Sequence, residues 1–266
     1  MGLFHTHGRA APTSAEANVQ SGDADKTWRV PEETPVAFVY NRRNYAVMLA
    51  TPMDMEDYTV GFSLSERVVD GLADISKVDI HQTEQGIELH ISISQEALER
   101  LDVRQQRRNL VGRAGCGVCG LENADAFFET LPKVGETKLR VSQEALLSAL
   151  HSLSEHQTLN NDTRTVHGAA WASLDGRISL VREDIGRHNA LDKLLGALER
   201  SSVDLSDGFV LMSSRCSYEI IEKAARLGVR AVAVVSGPTA FAIRKANEAN
   251  IALYCREGSS FVEVVK

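Results

Sequence analysis

The residues best placed by type and spacing to do chemistry are two thiols in a glycine-rich stretch, Gly112-Arg113-Ala114-Gly115-Cys116-Gly117-Val118-Cys119-Gly120. Four glycines in nine residues predict a mobile loop, not the interior of an element. Sulfur on such a loop suits a reaction in which one atom visits two places. The reactive form is the thiolate, and a free cysteine has a pKa of about 8.5. Residues 100–113 hold five arginines (100, 104, 107, 108, 113) against the single acid Asp102, a net +4 inside a chain of net charge −7. Bringing a thiol from about 8.5 to about 7 takes roughly 2 kcal/mol. One arginine about 7 Å away supplies roughly 2.4 kcal/mol at an effective dielectric near 20. Arg113 alone would be enough. The bland alternative is an arginine-rich helix face in water beside an inert thiol pair.

Three chemistries compete for the pair. A structural zinc site needs two more ligands, yet no second CxxC and no paired histidines follow. Cys216, Cys255, His167 and His188 are isolated candidates. A thioredoxin-like couple would sit in an early strand-to-helix turn, whereas this pair lies between two halves of the chain. A sulfur-relay cysteine fits best: exposed, mobile and beside cations.

The elements that must position the loop follow from pattern. The 266-residue chain is 43% hydrophobic and 24% charged, ordinary for a globular protein of one large or two small domains. Its acidity argues against nucleic acid polymers and anionic membranes, and no apolar run could span a bilayer. Four cysteines spaced Cys116-x-x-Cys119, Cys216 and Cys255 make no disulfide scaffold and point to a reducing, cytoplasmic setting. Residues 1–28 lack periodicity and a signal-peptide core, and read as a disordered tail; His5 and His7 there are solvated or bind metal adventitiously.

Residues 36–40 and 45–49 read as a hairpin with a four-residue loop, and Asp54 as the cap of a helix with Met55, Tyr58, Phe62 and Val69 on one face. Residues 87–93 alternate as a strand, with His90 on the wet side, and a helix starts at Ser94. The second half reads α-β-β-α-β-α-β-α-β from Ser142, with an Asp175-Gly176 type I′ turn in its hairpin. Its last three strands are joined by helices and therefore parallel. Their ends, Ser213-Ser214-Arg215, Ser236-Gly237-Pro238 and Arg256-Glu257-Gly258, share the sheet edge where α/β proteins bind anions. Arg215 is a candidate phosphate contact there, Asp184 a structural group, and Cys216 and Cys255 small apolar residues.

Three stretches make the chain resemble the FdhD family of sulfur carriers required for formate dehydrogenase activity. They are Gly115 to Gly120, Val181 to Lys193 (VREDIGRHNALDK) and Val235 to Thr239 (VSGPT). The likeness runs from about Val36 to the C-terminus. It implies an α+β chain with a small N-terminal α/β domain over 29–141, including the loop at 112–120. A cytidine-deaminase-like α/β/α domain with a mixed sheet would follow over 142–266.

The resemblance further implies a sulfurtransferase. Cys116 would carry a persulfide from a cysteine desulfurase to the bis-molybdopterin guanine dinucleotide cofactor of formate dehydrogenase, and Cys119 would resolve or relay. The family's cofactor-binding stretch corresponds to Tyr254, Cys255, Arg256, Glu257, Gly258 and Ser259. Arg187, His188 and His167 lie in or near family-like runs and could bind phosphate or pterin. A homodimer without a resident metal is expected on the same ground. Where the family commonly has Thr-Gly-Gly-Thr-His, this chain reads Thr163-Arg164-Thr165-Val166-His167, which loses both glycines. Zinc-deaminase chemistry is disfavoured, because His167 is followed by Gly168-Ala169 and the CxxC lies upstream. A zinc or thiol-disulfide protein using the same loop, and a non-catalytic cofactor-holding chaperone, remain the alternatives.

Overall fold

The computed structural model describes residues 2–21, 24–108 and 129–265, and for 21, 24 and 103–108 the backbone alone. Five strands make a first sheet: β1 (Phe4–Gly8), β4 (Thr34–Tyr40), β5 (Arg43–Ala50), β6 (Ile75–Thr83) and β7 (Gly86–Ile93), in the order β1-β6-β7-β4-β5. Between the first two of these in the chain, β2 (Ser14–Ser21) and β3 (Ala24–Pro31) form a separate antiparallel ribbon. The expected disordered tail is therefore overturned. β1 pairs in parallel with β6, from Phe4↔Val78 to Gly8↔Gln82. Its short, polar alternation is stabilised by an edge about seventy residues away, with Phe4 under the Arg200 guanidinium at 4.6 Å.

The β4–β5 turn also differs from expectation. It has two residues, Asn41 and Arg42, at φ 45° and 66°, the positive pair of a type I′ turn. The later hairpin does the reverse. Only Gly176 has positive φ (86°), so Ser173 to Arg177 enclose a three-residue loop and not a type I′ turn.

The second sheet joins β8 (His167–Ser173), β9 (Ile178–Asp184), β10 (Gly208–Met212), β11 (Ala231–Val234), β12 (Ala252–Glu257) and β13 (Ser260–Glu263), in the order β13-β12-β11-β10-β8-β9. β10, β11 and β12 are parallel neighbours, as the helical connections required. Strand alternation sorts the side chains into two cores. Trp171, Val210, Met212, Val232, Val234 and Leu253 meet α5 (Arg187–Arg200), α6 (Tyr218–Arg226) and α7 (Ala240–Glu248). Phe209, Leu211, Ala231, Ala233 and Tyr254 meet α3 (Gln143–His156), which Ser142 caps through the Ala145 N–H at 3.2 Å. The sequence pattern did not reveal α4 (Thr158–Thr163), β6 or β13.

Helix α1 (Met55–Ser65) is not a one-sided helix. Every residue except Glu56 is buried, because Tyr58 and Phe62 pack on the first sheet while the opposite side meets α5. That second side is a stripe of small and polar residues, Asp57-Gly61-Ser65, at the i, i+4, i+8 spacing of one helix face. It lies antiparallel to Asp192-Gly196-Arg200 on α5. Arg200 pairs with Asp57, Gly61 meets Gly196, and Ser65 donates to Asp192 at 2.7 Å. Lys223 of α6 reaches the same Asp192 carboxylate at 2.8 Å. Burial works against the charge on Lys223, but Asp192 and Glu66 outweigh it and hold its pKa above the ordinary range.

Helix α2 (Gln95–Arg108) starts where Ser94 accepts the Ala97 N–H at 3.2 Å. Its Arg100 pairs with Asp70 and Asp74 at 3.2 and 3.0 Å, and its Asp102 pairs with Arg43. Arg100 is thus offset by two carboxylates and drops out of the charge expected to act on the thiols. Among the described residues, no helix is long and apolar enough to cross a membrane.

Candidate functional site

The site forms along one edge of the second sheet, where β10, β11 and β12 end and β8 begins. Two sets of hydrogen bonds knit it. Gly168 N–H donates to Ser213 Oγ at 2.8 Å, and Ser213 N–H returns to Gly168 O at 2.9 Å. The loops after β10 and β11 are joined by a parallel bridge between Cys216 and Pro238, with Thr239 N–H donating to Cys216 O at 3.0 Å. A Cβ at Gly168 would press on the Gln157 side chain, whose amide end would have to shift.

The run from Glu183 to Lys193 divides sharply by role. Glu183 accepts the Leu159 and Asn160 N–H groups at 2.9 and 2.8 Å and so caps α4. Asp184, fully buried, accepts Thr51 N–H at 3.0 Å and Gly186 N–H at 2.8 Å, and pairs with fully buried Lys193 at 2.7 Å. Asn189 accepts from Tyr58 Oη at 2.9 Å and donates to Leu49 O at 2.8 Å. Asp192 and Lys193 face the first half of the chain as well. Asp184 is thus the structural group expected, although its carboxylate holds the residue before the helix rather than the helix's free N–H groups. Of the charged side chains in the run beyond Asp184, Arg187 and His188 are those left at the sheet edge.

His188 Nε2 lies 2.8 Å from Glu219 and 3.2 Å from Ser217 Oγ, at the start of α6. Arg187 Nε is buried with no hydrogen-bond partner. His167 is half-buried, and its pKa is lowered first by that burial and then by the nearby charges of Arg187, His188 and Arg215, against Asp184. The structure therefore brings His167, Arg187, His188 and exposed Arg215 together. Gly186 before α5 and Ser217 before α6 make no side-chain cap, which leaves two helix N-termini without a side-chain acceptor. A buried orphan N–H, an exposed guanidinium and two uncapped N-termini together suit an anionic ligand.

The stretch 254–259 separates into two parts. The side chains of Tyr254 and Cys255 point to opposite cores. Tyr254 Oη accepts the Val141 N–H at 3.1 Å under α3, and Cys255 packs against α6 and α7. Strand alternation puts both side chains in the interior, as the apolar reading of Cys255 expected. Arg256, Glu257, Gly258 and Ser259 are exposed around the β12–β13 turn, where Arg256 Nε donates to Gly258 O at 3.0 Å. Counted across the sheet, β12 lies three strands from β8, which begins at His167, and four from β9, which leads into Arg187, roughly 14–19 Å at ordinary strand spacing, a span suited to an extended ligand.

Burial pushes the Cys216 thiol up to about 12 and the Cys255 thiol up to about 11, so both are inert, as their apolar surroundings imply. Cys116, Cys119 and Arg113 lie outside the described residues, as do the side chains of Arg104, Arg107 and Arg108.

The FdhD/NarQ family model matches residues 31–263. A protein of Bordetella petrii named sulfur carrier protein FdhD is 45% identical over 232 residues, 87% of this chain and 82% of its own. One of the same name from Cupriavidus necator is 43% identical over 265 residues, 95% of this chain and 91% of its own. A third, from Xanthomonas euvesicatoria, is 47% identical over 224 residues, covering 84% and 79%. A crystal structure from Desulfotalea psychrophila, described as a formate dehydrogenase accessory protein, superposes with a TM-score of 0.72 at 19% identity. It covers 95% of this chain and 96% of that one, and supports the mixed α+β fold. Matched by that family model over nearly its whole described length, this chain belongs to the FdhD/NarQ family.

Proposed function

We propose that the chain is a sulfur carrier serving formate dehydrogenase, with Cys116 as the carrier and the cationic sheet edge as the seat of the cofactor that receives the sulfur. The meeting of Arg187, His188, His167 and Arg215 at that edge carries the reading. The relatives' names support it. Residues 142–266 would be the deaminase-like unit, acting in the cytoplasm as a homodimer. The cargo is the bis-molybdopterin guanine dinucleotide cofactor. Its phosphates would take the uncapped N-termini of α5 and α6 and the unpartnered Arg187 Nε, and its length would extend toward Arg256–Ser259.

In the loading step the Cys116 thiolate attacks the outer sulfur of a desulfurase persulfide. One S–S bond forms, the donor's breaks, and the donor leaves as a thiolate, so no net electrons are exchanged. In the release step Cys119 attacks the Cys116 sulfur, forms the disulfide and expels hydrosulfide. A dithiol reductant then resets the pair.

Mass spectrometry of the chain after incubation with a cysteine desulfurase and cysteine tests the carrier role. One added sulfur on the Cys116 peptide, lost on reduction, is expected. An unmodified Cys116 peptide rejects it in favour of a cofactor-holding chaperone, or of a zinc or redox protein if metal or disulfide reductase activity is found.

The site's titration provides a second check. A bound anion favours the imidazolium of His167, so binding raises a pKa that burial and Arg187 hold low, and a proton is taken up. Guanosine diphosphate should bind more tightly as pH falls from about 8 to about 6, near the ordinary histidine range. His167→Ala should flatten that slope in calorimetry; an unchanged slope would remove His167 from the site.

A further inference from the structure

The outer face of the first sheet carries a group of side chains that sulfur transfer does not use. β1 and β6 are in register with His5 opposite Asp79 and His7 opposite His81. β6 and β7 are in register with Asp79 opposite His90 and His81 opposite Glu88. Six adjoining positions on three strands are thus all histidine or carboxylate, and the two-residue repeat points them to one side. The His7 and His81 rings stack at 4.8 Å, the His81 and His90 rings meet at 5.0 Å, and His7 Nε2 lies 3.5 Å from Asp79 Oδ1. Lys77 occupies the other Asp79 oxygen at 2.7 Å.

We propose that His7, Asp79, His81 and His90 form a binding site for a late first-row divalent cation, of which Zn²⁺ is the type. Imidazole nitrogens with one carboxylate are the donor set such ions prefer over Mg²⁺ or Ca²⁺. As the side chains stand, no three donors converge on one point among the described residues. His7 is 52% exposed, His90 39% and Asp79 21%, so rotation about their side-chain bonds is open to them. Neighbouring strands about 4.8 Å apart place donors within reach of a single ion at about 2.0–2.2 Å from each. The ion would tie edge strand β1 to β6 and β7.

The test uses the metal-stripped full chain with Cys116→Ser and Cys119→Ser, which removes competition from the loop thiols. Calorimetric titration with Zn²⁺ should give one ion per chain and a rise in Tm. His81→Ala and Asp79→Asn, each checked for an unchanged far-ultraviolet spectrum, should each weaken binding at least about ten-fold and abolish the Tm rise. His151→Ala, which removes an exposed histidine of α3, should bind as the parent. Failure to saturate at one ion, or equal binding by the His81 and Asp79 variants, overturns the proposal. So does weak multi-site uptake shared equally with His151.

Discussion

Gly61→Ala is expected to cost at least about 3 kcal/mol, a large part of the roughly 5–15 kcal/mol that holds a domain folded. A Cβ at Gly61 would overlap the Asp192 carbonyl and sit 2.7 Å from Gly196 N. A Cβ at Gly196 would overlap Asp57 O and sit 2.7 Å from Gly61 N. Backbone atoms stand on both sides, so no rotamer change can relieve the clash. α1 and α5 would have to separate, opening Ser65–Asp192–Lys223 and Asp57–Arg200 together. A charge left buried without its partner is itself strongly destabilising. Urea unfolding should show the lowered midpoint. Gly71→Ala serves as the control, because its backbone is extended and the nearest atom to a new Cβ is a Glu199 carboxylate oxygen at 3.9 Å. A Gly61→Ala protein as stable as that control would mean that α1 and α5 do not cross in this way.

Cys116→Ala should reduce formate dehydrogenase activation to the level of cells without the chain, while guanosine diphosphate binding stays within about two-fold of wild type. An alanine side chain has no lone-pair sulfur to accept or hold a persulfide, and nothing else in the proposed sequence replaces it. Arg187→Ala should do the opposite. Sulfur loading on Cys116 should proceed, and nucleotide affinity should fall about 10- to 100-fold, the loss of a charge-assisted hydrogen bond of about 1.5–3 kcal/mol. The crossed pair separates the carrier from the cofactor seat. Full activation by Cys116→Ala would remove the carrier role. An unchanged affinity in Arg187→Ala would remove the anion site.

Legibility of the sequence followed the range of the interactions. β10, α6, β11, α7 and β12 were readable because each carries its own pattern, a short apolar run or an amphipathic repeat, and their alternation dictates parallel pairing. Arg215 could be nominated because it follows one of those strands, whereas His167, Arg187 and His188 were nominated by their place in or near family-like runs. The rest rested on partners far along the chain. β1 is too short and polar to declare itself until β6 is in place. The same holds for the polar groups of 183–193. Asp184 reads as structural from the sequence, but what it, Asn189 and Asp192 hold does not, since Thr51, Tyr58 and Ser65 each lie more than 120 residues earlier. At Tyr254 and Cys255 the strand continues, so its alternation turns both side chains inward.

The antiparallel crossing of α1 with α5 also sets a schedule for synthesis. Ser65 leaves the ribosome 135 residues ahead of Arg200, which at about 5–20 residues per second is a delay on the order of ten seconds. During that interval the first sheet can cover Tyr58 and Phe62, but the other side of α1 has no partner. That side is Asp57-Gly61-Ser65, which water solvates readily. The stripe that later admits α5 at close range is therefore also a surface the nascent chain can leave wet without inviting aggregation.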